Sequence, residues 1–563
     1  AEYNVAVSES AAGQKPSSLG NRFAAAIAAL RGDGAASAPY RVRRDFRQTA
    51  LNQMSRRTMS ALRIIGASAQ SAKRSTSSFP PSATHTFHVF QNTITGTGGT
   101  CVTPQIKIGT DCYIDVNATL QATSNHGYVW VDNLIDGTYN LSTADFQATA
   151  TAFDTDYARE TAAFGPAFFN PGSNFYAQCD ANGVRNQNTN TYTAQVDYTG
   201  TDPHISILIT KALENTGEGG YFSASDLLND QELNCAYGNS AHMPSNQLPM
   251  FIMSADKYPS VANEPYWRAE DMPRTLPHEF QHYLHAINKV FAPNLRDANS
   301  TVVFDDSFVD EGDSMLAEDL VNSNNAQSND TLLASFFYLY NPANYSFTAW
   351  VGYDADPLST ATNPAYGFYR STEGNYGLGY LFARYMYDRF GGDAALHRVY
   401  ASLTPTAGSG TAGGVPNVAP IVAEANNGET FAQLYADFAA ALAARHVAST
   451  DPRFSFNSTV FLVGSKTVPV PNGTYDIMMN GPRSPDDLTS THPSTRIKLT
   501  PGQAANAKLM TGATLFFNAA ASAGSIVSLD TTTAPSGKVA GALVQGGYND
   551  SGSCLGTVAL NGC

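Results

Sequence analysis

Hydrophobic residues recur with two different periods along the chain, and each change of period marks a new kind of structure. From about residue 84 to residue 141, short runs of apolar residues lie between Gly, Asn and Asp turns, which predicts β-strands. Residues 144–163 change to the spacing of an amphipathic helix. Strand patterns return at 204–210 and 250–253, with a short segment at 219–222 between them.

Helical spacing dominates the region that follows and then stops. The predicted helices are 275–289, 308–320, 376–390 and 429–446. After about Asp451 this spacing disappears, and short strand patterns predict a β-sandwich-like module that extends to Cys563. Strands and helices in separate runs are typical of an α+β fold.

A chain of 563 residues is too long for a single hydrophobic core, so we expect several domains. The predicted segments are an N-terminal accessory arm and linker at 1–82, a small β-module at 83–143, a mixed domain at 144–450 and the β-sandwich-like module at 451–563. Within the mixed domain we expect a sheet-containing lobe to about residue 290 and a helical lobe after it. The basic arm is interpreted as packing on the acidic remainder of the protein, with an external acidic surface as the alternative.

Charge and apolar content exclude two classes of protein. The net formal charge of −15 argues against a nucleic-acid binder. No run of about 18 uncharged apolar residues occurs, so we expect no transmembrane segment. Because the chain opens with the polar residues Ala1 to Asn4, we interpret the numbered chain as beginning after processing.

The six cysteines are predicted to form disulfides. None belongs to a C-x-x-C pair or lies beside the metal motif described below, which disfavours metal ligation. Six cysteines allow about 15 connectivities. The simplest joins neighbours: Cys101 with Cys112, Cys179 with Cys235, and Cys554 with Cys563. Disulfides indicate an oxidising compartment, so we expect a secreted, extracellular protein.

Residues 275–289 contain the pattern H-E-x-x-H at His278, Glu279 and His282. Residues four apart on an α-helix lie about 40° apart around its axis, so both imidazoles can reach one tetrahedral zinc ion. Glu279 would lie beside the open coordination position, where its carboxylate can take a proton from water. This arrangement predicts zinc-dependent hydrolysis of peptide bonds.

The helix that carries this motif has recognisable boundaries in the sequence. Thr275 is the predicted N-cap, and Pro277 suits the first helical turn. An apolar stripe follows at Phe280, Leu284 and Ile287. Pro293 is predicted to end the helix.

A catalytic zinc site needs a third protein ligand. In the H-E-x-x-H-x-x-G-x-x-H class this ligand is a His; here that position is Asn288 and the Gly position is His285, which excludes the class. His285 follows His282 by three residues and could reach the metal from the same helix; it is interpreted instead as a surface residue or as a partner of a ligand. Glu311, on a second predicted helix, is the predicted third ligand. Glu318 is the reserve ligand, or a carboxylate that holds a ligand imidazole, or a solvated charge.

The remaining histidines lack the spacing of metal ligands. His85, His88 and His126 lie in the predicted β-module and are interpreted as ordinary strand or turn residues. Calcium is left open, since Asp residues are plentiful but no calcium-loop pattern occurs.

Segments between Tyr128 and Phe438 resemble the hyicolysin family of neutral zinc metallopeptidases, which are gluzincins secreted by bacteria. The matching segments are Tyr128-Val-Trp-Val-Asp132, Phe153-Asp-x-x-Tyr157 with Phe164-Gly165, Gly220-Tyr-Phe-Ser223, Leu276-Pro-His-Glu-Phe-Gln-His282, Glu311-Gly-x-Ser-Met-Leu-Ala-Glu-Asp319 and the Tyr-rich helix after Asn375. The chain departs from the family pattern at Pro277, where Ala is expected, and at Val309-Asp310, where Leu-Asn is usual.

The resemblance implies a zincin-like, two-lobed catalytic domain with a mixed-sheet lobe and a helical lobe, flanked by β-rich modules. It also implies that His278, His282 and Glu311 bind zinc and that Glu279 is the catalytic acid and base. In similar aminopeptidase-type enzymes, a Tyr three residues before a Gly donates a hydrogen bond to the oxyanion. Tyr376 has this spacing. The sequence is compatible with two roles for Tyr376, the donor to the oxyanion and a residue packed in the core. Weaker candidates are His397, His446 and Tyr380.

The sequence therefore predicts a secreted zinc endopeptidase with one catalytic Zn²⁺ and a protein or peptide substrate. The alternatives are a zinc exopeptidase of the aminopeptidase kind, and a non-catalytic adhesin or binding protein with a degenerate metal site. We expect a monomer. The two enzyme classes would be separated by comparing cleavage of peptides with a blocked amino terminus and cleavage of peptides with a free amino terminus.

Overall fold

The structure is a computed structural model of the chain. It describes residues 2–9, 83–93, 106–108, 111–135, 139, 141–169, 199–213, 219–227, 244–255, 268–291, 307–321, 334–335, 338, 345, 373–401, 431–444, 453, 465–470, 473–478, 496–499, 514–520 and 539–546. By their contacts, the elements in these ranges form two units.

The described strands are β1 (Glu2–Glu9), β2 (Thr84–Thr93), β3 (Ile106–Ile108), β4 (Asp111–Thr123), β5 (Gly127–Asp132), β6 (Ile205–Thr210), β7 (Gly220–Tyr221), β8 (Met250–Ser254), β9 (Ser465–Val470), β10 (Gly473–Met478), β11 (Arg496–Leu499), β12 (Thr514–Ala520) and β13 (Val539–Gly546). The described α-helices are α1 (Thr143–Phe164), α2 (Arg268–His285), α3 (Ser307–Val321), α4 (Glu373–Phe390), α5 (Asp393–Ala401) and α6 (Phe431–Ala444). This combination of sheets and helices confirms the predicted α+β character.

A mixed sheet of seven strands organises the unit that contains the H-E-x-x-H helix. Its strand order is β2-β4-β5-β6-β8-β7, with β3 also paired to β4. The neighbours β5, β6 and β8 run parallel, whereas β2–β4, β4–β5 and β7–β8 are antiparallel. Strands from the predicted β-module at 83–143 therefore share one sheet with the strands that precede α2.

Burial follows the position of each strand in this sheet. All six residues of β5 and all six of β6 are buried, as expected for parallel strands that are covered on both faces. Strand β4, which lies between β2 and β5, instead alternates, with Val116 and Ala118 buried and Asp115 and Asn117 exposed. One face of the sheet is therefore solvated at β4.

Helix α1 packs against the sheet and against α2, which also contacts strands β7 and β8. The ring of Phe153 lies 5.8 Å from that of Phe251 in β8 and 4.9 Å from that of Phe280 in α2. Tyr157 stacks on Phe280 at 5.5 Å. Near the end of α1, the Asn288 side-chain amide donates a hydrogen bond of 2.9 Å to the carbonyl of Pro166. The two helices are thus in contact along several turns.

Helix α2 begins earlier than the sequence indicates. It starts at Arg268, so the predicted N-cap Thr275 and the predicted first-turn residue Pro277 are both inside it. A proline removes one backbone hydrogen bond and usually marks a first turn, which is why the boundary prediction was wrong. Residues 275–287 are all buried, and this packing holds the helix through the proline. From Ala286 to Phe291 the backbone continues as a π-helix; the predicted end at Pro293 lies outside the described residues.

Helices α3 and α4 pack against each other in the other unit. A Cβ atom added to Gly312 would lie 2.6 Å from the carbonyl oxygen of Gly379, so the two backbones approach too closely for larger residues. Asp319 of α3 accepts hydrogen bonds from the Tyr380 hydroxyl (2.8 Å) and from Arg384 (2.9 Å) of α4. These buried charged contacts fix the rotation of α4 relative to α3.

A four-stranded sheet with the order β11-β12-β1-β13 belongs to the same unit. Its strand β1, from the predicted N-terminal arm, runs antiparallel to β12 and β13 from the predicted C-terminal module. Strands β9 and β10 form a separate two-stranded sheet. The rest of the predicted arm lies outside the described residues.

The described residues test two other sequence predictions only in part, those on membrane spans and on disulfides. No described helix is both long enough and apolar enough to cross a membrane. Of the six cysteines, the ranges include Cys112, which is buried in β4. Its predicted partner Cys101 and the other two pairs lie outside them.

Candidate metal centre

Helix α2 presents His278 and His282 on one face, as their four-residue spacing predicts. Their Nε2 atoms lie 3.3 Å apart, and their ring centroids are 4.9 Å apart. Both side chains are almost completely buried. Two buried imidazole nitrogens that converge in this way are arranged to bind one cation.

Glu311 brings a carboxylate to the two histidines. It lies in the first turns of α3 and is fully buried. One ligand atom from each of His278, His282 and Glu311 lies within 4.8 Å of the others. Among the described residues this is the group that could hold a metal ion, and it contains the three ligands predicted from the sequence.

The chemistry of the three donors fits zinc. Two imidazoles and one carboxylate form the ligand set of a catalytic zinc site, in which a fourth position stays open to water or substrate. A set of hard oxygen ligands, which calcium and magnesium prefer, is absent from this group. The predicted single zinc ion is therefore compatible with the residues present.

Glu279 lies next to the edge of the seven-stranded sheet. A Cβ atom on Gly220 of β7 would lie 2.5 Å from the carbonyl oxygen of Ile252 and 3.1 Å from Cγ of Glu279. Only a glycine therefore allows β7 to approach both its neighbour β8 and the side chain of Glu279. The edge strand and the predicted general base are adjacent.

Two carboxyl groups of α1, those of Asp156 and Glu160, are buried. Burial raises the pKa of Asp156 well above its usual value. Burial also raises the pKa of Glu160, the negative charge of Asp156 raises it further, and Arg159 and His282 act in the opposite direction. The carboxyl group of Glu160 is therefore close enough to the predicted metal ligand His282 to interact with it electrostatically.

The neighbours of the motif on α2 have distinct environments. Asn288 occupies the position that holds the metal-binding third His in the H-E-x-x-H-x-x-G-x-x-H class. Its side-chain amide donates hydrogen bonds to the carbonyls of Pro166 and Leu284. His285 is buried, which excludes its interpretation as a surface residue. Tyr283 donates a hydrogen bond of 2.8 Å to the carbonyl of Ala167. These contacts attach α2 to the segment that follows α1.

The remaining predicted residues lie on α3, on α4, on α5 and outside the described residues. Glu318 is fully buried, so its interpretation as a solvated charge was wrong, and it does not belong to the group of ligand atoms. Tyr376 is buried near the start of α4, and its role as oxyanion donor stays a prediction. The Tyr380 hydroxyl donates its hydrogen bond to Asp319. His397 donates a hydrogen bond to the carbonyl of Ala162, and His446 lies outside the described residues.

The histidines of the strand region lie against aromatic rings or carboxylates. His85 packs against the rings of Phe87 and Trp130. The Nδ1 atom of His88 lies 2.7 Å from Asp115. His126 contacts Asp154 in the same way at 3.0 Å, and His204 contacts Asp202.

Comparison with known proteins adds little to this geometry. No model of a protein family matches the chain, and no curated protein matches it. Among solved structures, it is similar to the crystal structure of a mutant M1 zinc metallopeptidase from Deinococcus radiodurans, with 10% sequence identity and a TM-score of 0.25. The match covers 61% of this chain and 58% of that chain, so this chain spans less than two thirds of its length. A similarity this low carries no argument, and the hyicolysin resemblance stays a prediction.

Sequence reasoning missed two residues that lie beside the predicted catalytic helix. Gly220 belongs to a segment that resembled the family, but nothing in the segment indicated contact with Glu279. Glu160 follows Asp156 by four residues on α1, and this spacing of two acids on an apolar helix face was the available signal. Their proximity to α2 depends on packing between distant segments, which the local pattern does not contain.

Proposed function

We propose that this protein is a secreted, zinc-dependent endopeptidase of the gluzincin type. The observation that carries the proposal is the convergence of one ligand atom each from His278, His282 and Glu311 within 4.8 Å. Glu279, which follows the first His on the same helix turn, supplies the additional carboxylate that peptide hydrolysis requires.

The proposed reaction assigns one proton-transfer residue. Zinc, when bound by the three ligands, supplies a Lewis acid that polarises a carbonyl oxygen and makes water a stronger acid. The Glu279 carboxylate accepts a proton from the attacking water and then delivers it to the nitrogen of the leaving amine. The Tyr376 hydroxyl is the proposed donor to the oxyanion.

The edge strand supports a peptide substrate. β7 is the last strand of its sheet and lies against Glu279 through Gly220. An extended peptide can pair with such an edge through main-chain hydrogen bonds, which do not require a free terminus. This arrangement favours cleavage within a chain over removal of terminal residues.

The test compares two substitutions that separate metal binding from proton transfer. Glu279→Gln should retain the metal of the wild type and lose casein hydrolysis, because the amide cannot accept the proton. Glu311→Gln should lose metal and hydrolysis together, because a neutral amide is a weak zinc ligand. Metal content and hydrolysis are measured on the full-length protein before and after treatment with a chelator.

Three results would contradict this proposal. Near-normal hydrolysis by Glu279→Gln would exclude the proposed mechanism. Hydrolysis limited to peptides with a free amino terminus would identify an exopeptidase instead. Absence of both bound metal and hydrolysis in the wild type would favour a binding protein with a degenerate site.

A further inference from the structure

Strand β7 lies over α2 between the side chains of Thr275 and Glu279. These two residues are four apart, so they lie on one face of the helix. A Cβ atom on Gly220 would lie 2.9 Å from Cγ2 of Thr275 and 3.1 Å from Cγ of Glu279. All three residues are buried. The main chain of β7 therefore packs against the aliphatic part of the predicted general base.

Contacts with three other elements hold β7 in this position. The strand pairs with β8. The Tyr221 hydroxyl accepts a hydrogen bond of 2.8 Å from the backbone N–H of Phe90 in β2. The ring of Phe222, the residue after β7, lies 5.8 Å from that of Tyr283 in α2. A methyl group added to the strand would therefore be accommodated in part by rotation of the Glu279 side chain, because the strand can move only by breaking these contacts.

A general base needs a defined orientation. It accepts a proton from a donor at about 2.6–3.2 Å, and a misplacement of about 1 Å can lower the rate about 100-fold. A glutamate side chain has several rotatable bonds, so many of its conformations place the carboxylate out of reach. A rigid neighbour that excludes some of these conformations keeps the carboxylate within reach for more of the time.

We propose that Gly220 is a positioning residue for Glu279: because it has no side chain, β7 lies against Glu279 and restricts its carboxylate to the orientation that proton transfer requires. This inference rests on the proposed function, in which Glu279 is the general base. Side chains stand roughly perpendicular to a sheet, whereas the main-chain groups that pair with a peptide lie in its plane. A methyl group at position 220 would therefore affect the base more than the pairing edge of the strand.

Gly127, the first residue of β5, provides a matched control in the same sheet. A Cβ atom there would lie 2.9 Å from the ring of Phe153 and 3.3 Å from Oγ of Ser124, neither of which is a predicted site residue. Neither Gly127 nor Gly220 has a left-handed backbone conformation, so alanine is crowded but not strained at either position. A merely structural role predicts similar effects of both substitutions, whereas a positioning role predicts a loss of kcat for Gly220→Ala alone.

The kinetic experiment uses the full-length, zinc-loaded protein and a fluorogenic peptide with a blocked amino terminus. Gly220→Ala should lower kcat about 10- to 100-fold and change KM by less than about threefold, because the methyl group displaces the base and not the pairing edge. Gly127→Ala should keep both constants within about threefold of the wild type. Both variants should retain the zinc content of the wild type, since the three metal ligands are unchanged.

A second measurement reports the contact without relying on activity. In a Glu279→Ala background, the Cγ atom that would lie 3.1 Å from the added methyl group is absent. The shift in urea midpoint caused by Gly220→Ala should therefore be smaller in this background than in the wild type. The shift caused by Gly127→Ala should be the same in both backgrounds.

The outcomes separate this inference from the proposed function. A wild-type protein that hydrolyses the peptide, together with equal kcat values for the wild type and Gly220→Ala, overturns the inference and leaves the function intact. Equal losses of kcat in the two glycine variants also overturn it, because they indicate a general packing effect. A change confined to KM overturns it by assigning Gly220 to substrate pairing. A wild-type protein that hydrolyses no peptide overturns both.

The stability measurement has its own contrary result: equal midpoint shifts of Gly220→Ala in the two backgrounds exclude the contact with Glu279. If Gly220→Ala does not fold, it is combined with Thr275→Ser, which removes the Cγ2 atom at 2.9 Å. The same loss of kcat is then expected relative to Thr275→Ser alone.

Discussion

Gly312 and Gly379 meet where α3 and α4 cross, with the carbonyl oxygen of Gly379 at 2.6 Å from the position of a Gly312 Cβ atom. Each glycine follows closely on a residue of the predicted site: Gly312 comes directly after Glu311, and Gly379 comes three residues after Tyr376. The two sequence motifs are therefore the two sides of one helix crossing. Their glycines are explained by this close approach and do not need a catalytic role.

The crossing predicts a graded effect of added methyl groups. Gly312→Ala should destabilise the protein by about 1–3 kcal/mol, because its Cβ meets a backbone atom that cannot move alone. Gly379→Ala should cost less, since its nearest contact is the Phe308 carbonyl oxygen at 3.0 Å. Chemical denaturation of both variants measures which substitution lowers the free energy of unfolding more. The close approach would be contradicted if both variants were as stable as the wild type.

Two buried acids of α3 give a test of the third ligand. Glu311 belongs to the group of ligand atoms, whereas Glu318 does not, although both are fully buried. Glu311→Gln should lower zinc affinity by more than about 100-fold, and Glu318→Gln should leave it within a few-fold. Metal analysis after dialysis measures the difference. The reverse order of affinities would make Glu318 the ligand.

Two buried tyrosines of α4 separate catalysis from packing. Tyr376→Phe removes the proposed oxyanion donor, so kcat should fall about 100- to 1,000-fold with little change in stability. Tyr380→Phe removes a 2.8 Å hydrogen bond to Asp319, so it should lower stability by about 1 kcal/mol or more and leave kcat nearly unchanged. Steady-state kinetics and thermal unfolding are measured on both variants. Equal kcat values for Tyr376→Phe and the wild type would assign Tyr376 to the core.

Local patterns predicted the helices better than the sheet. The predicted helix at 308–320 corresponds to α3, and that at 429–446 corresponds to α6, because each has an apolar stripe of helical period. The seven-stranded sheet was not predicted as one unit, since β5 and β6 pair in parallel across more than 70 residues of intervening chain. Such pairing leaves no signal in neighbouring positions.

The residues of the candidate site also differ in how well local sequence patterns identify them. His278, Glu279 and His282 are close in sequence and were identified from their spacing on one helix. Glu311 was identified from the resemblance of its segment to a known family. Gly220 was not identified as a neighbour of Glu279, because this contact depends on how β7 packs against α2. A residue that contacts the site from a separate element becomes visible only when both elements are in place.

The last prediction concerns the pH dependence of stability at Asp226. Burial raises the pKa of Asp226 to about 7, although Asn246 donates two hydrogen bonds of 2.9 Å to its carboxyl oxygen. The folded protein keeps this proton up to about pH 7, whereas the unfolded chain releases it near 3.8. The contribution of Asp226 to stability is therefore greatest below about pH 4 and is lost as the pH rises to 7.

Asp226→Asn should remove this dependence, because the amide is neutral at every pH and can still accept the hydrogen bonds from Asn246. Relative to the wild type, the variant should gain about 3 kcal/mol or less in free energy of unfolding between pH 5 and pH 8. Urea unfolding at both pH values measures the gain. Asp115→Asn is the comparison variant: it removes one negative charge at an exposed position of β4, together with the contact of Asp115 to His88. An equal gain in both variants would mean that net charge, and not the buried carboxyl of Asp226, controls the pH dependence.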